Sequence, residues 1–373
     1  MTTTEKGCTM RTTHNAQRTT HNLHACPNLG EKIHVALAVY DPSGNYSQHA
    51  GVTITSIFEN TSSPVMIHLL HDDTLTQDNR EKFIRTTQKY SQEINFHDMT
   101  NYRDKLTNEM KAIAGGRFTV GTLYRMFIPQ ALADVDKVIY LDCDVLVNLD
   151  IKELWDIDIT KKSLAGALDT EAFGVNVWKG KGLARAVKFK IWGSSYKTYI
   201  NGGVLYMNLK KIRERGNLFE LVKNWCERYG HLVSNADQDV LNAIFYGDIE
   251  IVDGKFNRYN LGGDISNSIL HTWTHKPWSG FLGANSDILY WKMYFRSAWG
   301  ENKTSADDVI AILAGMTKIT QGWGRHNSNW DCIKSIFAHY QRKIMYRIIP
   351  TRAIAVIFSE LYHRIKYKFS HRH

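Results

Sequence analysis

The stretch KVIYLDCDVLVNLD, Lys137–Asp150, places two carboxylates inside an otherwise apolar run. Val138, Ile139, Tyr140 and Leu141 predict a buried strand, which Val145, Leu146 and Val147 continue. Side chains alternate along a strand, so Asp142 and Asp144 point one way and Cys143 the other. Two ionised carboxylates held this close repel each other and lose hydration, so a buried pair needs a compensating cation or proton. Spacing alone is no argument, because Asp-x-Asp recurs at Asp134/Asp136, Asp156/Asp158 and Asp237/Asp239. Asp134/Asp136 and Asp156/Asp158 have polar or loop-like neighbours and read as solvated; only Asp142/Asp144 is flanked by apolar residues on both sides.

Working outward, KIHVALAVYD, PVMIHLLHDD and EINFHDM predict strands, and TQDNREKFIRTTQKY an amphipathic helix with Thr74 or Thr76 near its start. GVTITSIFENT fits a strand or a helix, and its apolar spacing does not choose between them. GTLYRMFIPQAL and NLFELVKNWCERYG look helical. Strands alternating with helices predict an α/β chain with a parallel, doubly wound sheet and ligands at the carboxyl ends of the strands. The expected organisation is a leader over 1–31, rich in Thr, His and Asn, a catalytic domain over 32–282, and an aromatic, then basic, helical extension over 283–373.

With 373 residues, 43% hydrophobic and 12% aromatic, the chain can bury a sizeable core. It has no run of eighteen apolar residues and no apolar N-terminal stretch of the kind a signal peptide carries. The five cysteines share no metal-ligand spacing, so a reduced, cytoplasmic compartment is expected. The net charge of +9 is concentrated in 334–373, where nine Lys and Arg face the single acid Glu360. Ile354, Phe358, Leu361 and Ile365 recur there at helical spacing, which predicts a basic amphipathic helix, either lying on an anionic membrane surface at the inner face of the cell membrane or packed on the body with its basic face solvated. No recognition fold accompanies the charge, so no nucleic acid is expected as a partner.

Elsewhere, polar residues interrupt apolar elements. Asp41 ends the first strand, Asp169 ends LAGALD, and Asn201-Gly202-Gly203 precedes VLYMN, where glycines let backbone approach a ligand closely. Asp237 and Gln238 precede a helix, while His271 and Lys276 flank a Trp-containing loop. Residues so placed in an α/β chain are expected to converge on one crevice.

VIYLDCDVLV, YINGGVLYMNLKKIR, DQDVLNAIFYG with KFNRYN soon after, and HKPW together resemble the retaining glycosyltransferases of family 8, over roughly Ile33 to Trp299. The resemblance implies the type A glycosyltransferase fold, with a mixed sheet flanked by helices. It also implies transfer of a glucose or galactose from a UDP-sugar donor to a glycan or glycolipid acceptor. Asp142, Asp144 and His271 then match ligands of Mn2+ or Mg2+, with Cys143 and Gly203 beside them. Lys276 matches a contact to the diphosphate, Arg125 an arginine close to donor sugar and phosphates, and Tyr40 and Asp41 the nucleoside contacts. Asp169, Asn201, Asp237 and Gln238 fall where the family reads the donor's hydroxyls and lines the reacting face. His271 and Lys276 are five apart, one fewer than is usual in the family, and the usual glycine of that loop is missing.

Two rival readings use the same residues. A haloacid-dehalogenase-type phosphatase would take Asp142 as nucleophile and Asp144 as general acid, with Asp307 and Asp308 as its distal acids. Its motif normally opens the domain, whereas an ordered region of about a hundred residues, as read above, precedes Asp142 here. A non-catalytic nucleotide-sugar-binding or membrane-scaffold protein is the third reading.

Overall fold

The computed structural model describes residues 31–114, 118–169, 181–259, 264–272, 276–279 and 285–301. Residues 1–30 of the leader, the acids Asp307 and Asp308, and the basic segment 334–373 lie outside the described residues.

The chain starts with β1 (Ile33–Val39), α1 (Ser47–Asn60), β2 (Val65–His71), α2 (Gln77–Lys89) and β3 (Glu93–Asp98). The quoted stretch follows as β4 (Lys137–Leu141) and β5 (Val145–Asn148), and then β6 (Leu164–Ala167) and β7 (Val204–Asn208). Helices α3 (Leu218–Tyr229) and α4 (Ala236–Ile244) precede β8 (Ile249–Val252), β9 (Arg258–Tyr259) and β10 (Ser268–His271), and α5 (Asn285–Arg296) comes last. Seven strands form one sheet in the order β3-β2-β1-β4-β7-β6-β8, and β5-β10-β9 form a second, smaller one.

The large sheet is parallel except for β7, which runs antiparallel to both β4 and β6. The parallel sheet read from strand–helix alternation is thus interrupted at β7, and the sheet is the mixed one that the family resemblance implied. The reversal matters for the site: the amino end of β7 meets the carboxyl end of β4, with Val204 opposite Leu141. The run from Lys137 to Asp150 is also not the one continuous strand expected. It breaks at Asp142–Asp144 because β5 leaves the large sheet to pair with β10.

Alternation sorts the core onto two faces. Val35, Leu37, Val39, Ile67, Leu69 and Ile139 pack with α1 and α5, while Ala36, Leu70, Val138, Tyr140 and Leu205 pack with α3 and α4. A fully buried Val, Leu or Ile contributes about 1.5–3 kcal/mol. Helix α1 settles the ambiguous GVTITSIFENT: it is buried on nearly every side, and a helix without a polar face leaves no period to read. Thr76, rather than Thr74, caps α2, its hydroxyl accepting from Asn79 N at 3.2 Å. Val120–Phe127 is a 3-10 helix that runs into the short α turn Ile128–Ala131.

Beyond the boundary expected at 282, α5 packs into the same core as the sheet. Leu289, Tyr290, Met293 and Tyr294 of α5 and the following Trp299 are buried with α1. The Trp299 ring occupies the space that a Cβ at Gly51 would fill, and its Nε1 donates to Asn79 Oδ1 at 3.0 Å.

Candidate active site

Asp142, Cys143 and Asp144 form the turn between the two sheets, so a turn rather than a pleat sets their directions. Asp142 N donates to Gly203 O (2.9 Å), and Thr272 N and Oγ1 donate to Asp144 O (3.0 and 2.8 Å). The turn is thereby fastened to β7 on one side and to the end of β10 on the other. Pairing of His271 with Val145 brings the imidazole to the same place. Gly203 has to lack a side chain here, since a Cβ would overlap the His271 ring. Cys143 faces away from the two acids, as expected, though the turn and not a pleat places it, and its thiol donates to Ala38 O at 3.2 Å.

Ligand atoms of Asp142, Asp144 and His271 lie within 4.8 Å of one another. His271 Nε2 is 3.3 Å from Asp144 Oδ1 and 4.0 Å from Asp142 Oδ2. Asp144 Oδ1 is buried without a hydrogen-bond partner, so two carboxylates and an imidazole present an unsatisfied oxygen. This donor set fits a divalent cation that accepts oxygen and imidazole ligands. Burial alone would raise the Asp144 pKa, but His271 when its ring is protonated, and Lys276, whose Nζ touches Asp144 Oδ2, hold it well below the ordinary carboxylate range.

Arg125, 4% exposed, stands behind the turn. Its Nη2 is 3.1 Å from Asp142 Oδ1, its Nε 2.6 Å from Asp237 Oδ2, and its Nη1 donates to Gly202 O. Burial pushes the Asp237 carboxyl up to about 6 even though Arg125 pulls it down. Asp169 accepts from Tyr259 OH and from Gln238 Nε2, each at 2.7 Å, and from Asn201 Nδ2 at 3.4 Å. Gln238 Oε1 in turn accepts from Gly202 N at 2.9 Å.

These side chains line one cleft of about 480 Å3 at the carboxyl end of β4, with Tyr40, Tyr46, Gly203 and Lys276 on its walls. Asp41 is the predicted site residue that the fold does not bring in. Its carboxylate accepts from Tyr46 N and Ser47 N (2.8 Å each) and Ser47 Oγ (2.7 Å), at the start of α1. Burial would raise its pKa, but these hydrogen bonds lower it, as suits an anion at a helix N-terminus.

Sequence reasoning passed over Asn257 and Tyr259. Asn257 Oδ1 lies 3.1 Å from His271 Nδ1, and Tyr259 joins Asp169 to Asn201. KFNRYN held both residues but gave neither a role. Lys276 belongs to a loop seated by Trp278, which stacks on His49 of α1 with centroids 3.7 Å apart. The Tyr290 hydroxyl lies 2.6 Å from His49 Nδ1, and burial takes the His49 pKa down to about 3, so this imidazole is neutral. Residues 273–275 of the shortened loop lie outside the described residues.

Similarity to known proteins agrees with this geometry. A Haemophilus influenzae protein described as a glycosyltransferase is 29% identical over 219 residues, 59% of this chain and 62% of its own length. General stress protein A of Bacillus subtilis is 29% identical over 223 residues, 58% of this chain and 70% of its own length. The crystal structure of galactosyltransferase LgtC with donor and acceptor sugar analogues superposes with a TM-score of 0.58 at 23% identity, covering 71% of this chain and 96% of LgtC. That superposition establishes the type A glycosyltransferase fold. The profile described as Glycosyl transferase family 8 matches residues 38–279, a span that takes in the turn, the β7 glycines, His271 and Lys276. It sets aside the phosphatase reading, and a match over most of the chain carries the conclusion that this protein belongs to glycosyl transferase family 8.

Proposed function

We propose that the enzyme transfers a hexose, glucose or galactose, from a UDP-sugar to a glycan or glycolipid acceptor, with retention at the anomeric carbon and dependence on Mn2+ or Mg2+. The observation that carries this is the convergence of Asp142, Asp144 and His271 around an unsatisfied buried oxygen, next to Lys276 and a wall of carboxylate and carboxamide groups. When bound, the cation supplies Lewis-acid stabilisation of the departing diphosphate. Lys276 adds a mobile positive charge for the same phosphates.

Asp169, Asn201 and Gln238 offer acceptors and donors for sugar hydroxyls. Arg125 keeps the wall from being uniformly anionic, since it pairs with both Asp142 and Asp237. Tyr40 and Tyr46 are assigned to the nucleoside; Asp41 serves by fixing the start of α1 and with it Tyr46. Gln238 is a carboxamide engaged at both ends, Asp169 accepts hydrogen bonds on both oxygens, and Asp237 pairs with Arg125. A double displacement needs an available carboxylate, so attack on the same face as the departing UDP is the reading proposed. A glycosyl-enzyme adduct in a mass spectrum would reverse it. The segment 334–373 is assigned to an anionic membrane surface at the cytoplasmic face, and its deletion is expected to abolish co-sedimentation with anionic liposomes.

The deciding assay is UDP release from UDP-glucose or UDP-galactose with Mn2+. Metal-dependent release that disappears in Asp142→Ala supports the transferase. Donor binding without release by the wild type would instead support a scaffold, and hydrolysis of p-nitrophenyl phosphate would revive the phosphatase.

A further inference from the structure

One backbone amide settles which nitrogen of a neutral His271 carries the proton. Gly203 N donates to Asn201 Oδ1 at 2.8 Å. A backbone N–H can only donate, so that atom of Asn201 is its carbonyl oxygen, an acceptor. Asn257 meets the same oxygen at 2.9 Å and must offer its Nδ2 there. Its Oδ1 is then the atom 3.1 Å from His271 Nδ1, so Nδ1 is the protonated nitrogen and the donor. In the neutral imidazole the Nε2 lone pair then faces Asp144 Oδ1. The backbone of Gly203 on one side and the nearly parallel Tyr259 ring, at 6.3 Å and 20°, hold the imidazole plane. From Asn201 the chain of contacts continues through Nδ2 to Tyr259 OH (3.1 Å) and Asp169.

We propose that Asn257 is a positioning residue which fixes His271 as the Nδ1–H tautomer, so that Nε2 is presented to a divalent cation, and which joins the cation site to the Asp169 face through Asn201. The inference rests on the reading of Asp142, Asp144 and His271 as a cation site. The opposite tautomer would aim an N–H at Asp144 and compete with the metal. A histidine ligand commonly gives its second ring N–H to a neighbouring acceptor, and loss of that acceptor lowers metal affinity about 10–100-fold.

The test is calorimetric titration of Mn2+ into the UDP-bound full chain, together with 15N spectra of the histidine-labelled, metal-free protein. His271 is expected to show the Nδ1–H pattern, assigned by its loss in His271→Gln. Asn257→Ala is expected to weaken Mn2+ binding about 10–100-fold, while Asn257→Asp, which keeps an acceptor for Nδ1–H, stays within about threefold of wild type. A folded Asn257→Ala with wild-type Mn2+ affinity, or a neutral wild-type His271 that carries its proton on Nε2, overturns the proposal. Asn257 is 4% exposed, so Asn257→Ala may be judged only after its circular dichroism matches wild type. Should it fail to fold, a tenfold or greater loss in Asn257→Asp overturns the proposal equally. Wild type that binds no Mn2+ defeats the cation-site reading instead, and with it the metal half of this inference; the tautomer is still decided by the spectrum.

Discussion

The pairs Asp142/Asp144 and Asp237/Asp239 share a spacing, and Asp142, Asp144 and Asp237 line the same cleft. The first pair stands on a turn between two sheets, where both carboxylates converge on His271. The second opens α4, where residues two apart point about 200° away from each other. Asp237 therefore turns to Arg125. Asp239 turns away, accepting from Tyr199 OH (2.6 Å), Ser234 N (2.7 Å) and Asn235 N (3.0 Å). Ala236, with φ at +46°, sits at this turn into the helix. A spacing gains chemical meaning from the backbone beneath it, so the same three-residue pattern makes a candidate cation site in one place and a split pair in the other.

Four substitutions test this contrast. Asp144→Ala should cost the most: about a thousandfold in donor turnover, or about 4 kcal/mol, with loss of any Mn2+-induced rise in Tm. Turnover close to wild type would remove the distinction between the pairs. Asp237→Asn should act through pH. Asp237 titrates at about 6 in the fold, above the ordinary value of about 3.9, so the folded state favours its protonated form. Its stabilising contribution is fully present below about pH 4 and is lost as pH rises through about 6. Relative to Asp237→Asn, wild type should lose up to about 3 kcal/mol between about pH 4 and about pH 7 in urea unfolding, and parallel curves would contradict this. Gly203→Ala pushes a methyl group into the His271 ring and should weaken Mn2+ binding about tenfold or more, measured by calorimetry. Asp158→Ala should leave donor hydrolysis and Mn2+ affinity unchanged, since Asp158 is solvated and merely accepts from Thr160 N at 2.8 Å.

Much of this could be read from one chain of letters. The strands and the apolar setting of Asp142/Asp144 followed from side-chain period, and Asp142, Asp169, Asn201, Gln238 and His271 all reach one cleft. The break after Leu141 could not be read, because it depends on β5 pairing with β10, far along the chain. Nor could the direction of β7, since alternation looks the same both ways. Asp41 sits at a strand end like Asp142, yet the amides of Tyr46 and Ser47 claim its oxygens first. Asn257 escaped because its partners, Asn201 and His271, come from separate segments that meet only in the folded chain.

The stack of Trp278 on His49, completed by Tyr290, ties the lysine loop to a helix outside the stretch that the family shares. The stiffness of that tether is thus set by α5 together with the shared stretch that holds His49 and Trp278. A change confined to α5 would therefore loosen or tighten the hold on Lys276 without touching any residue that lines the cleft.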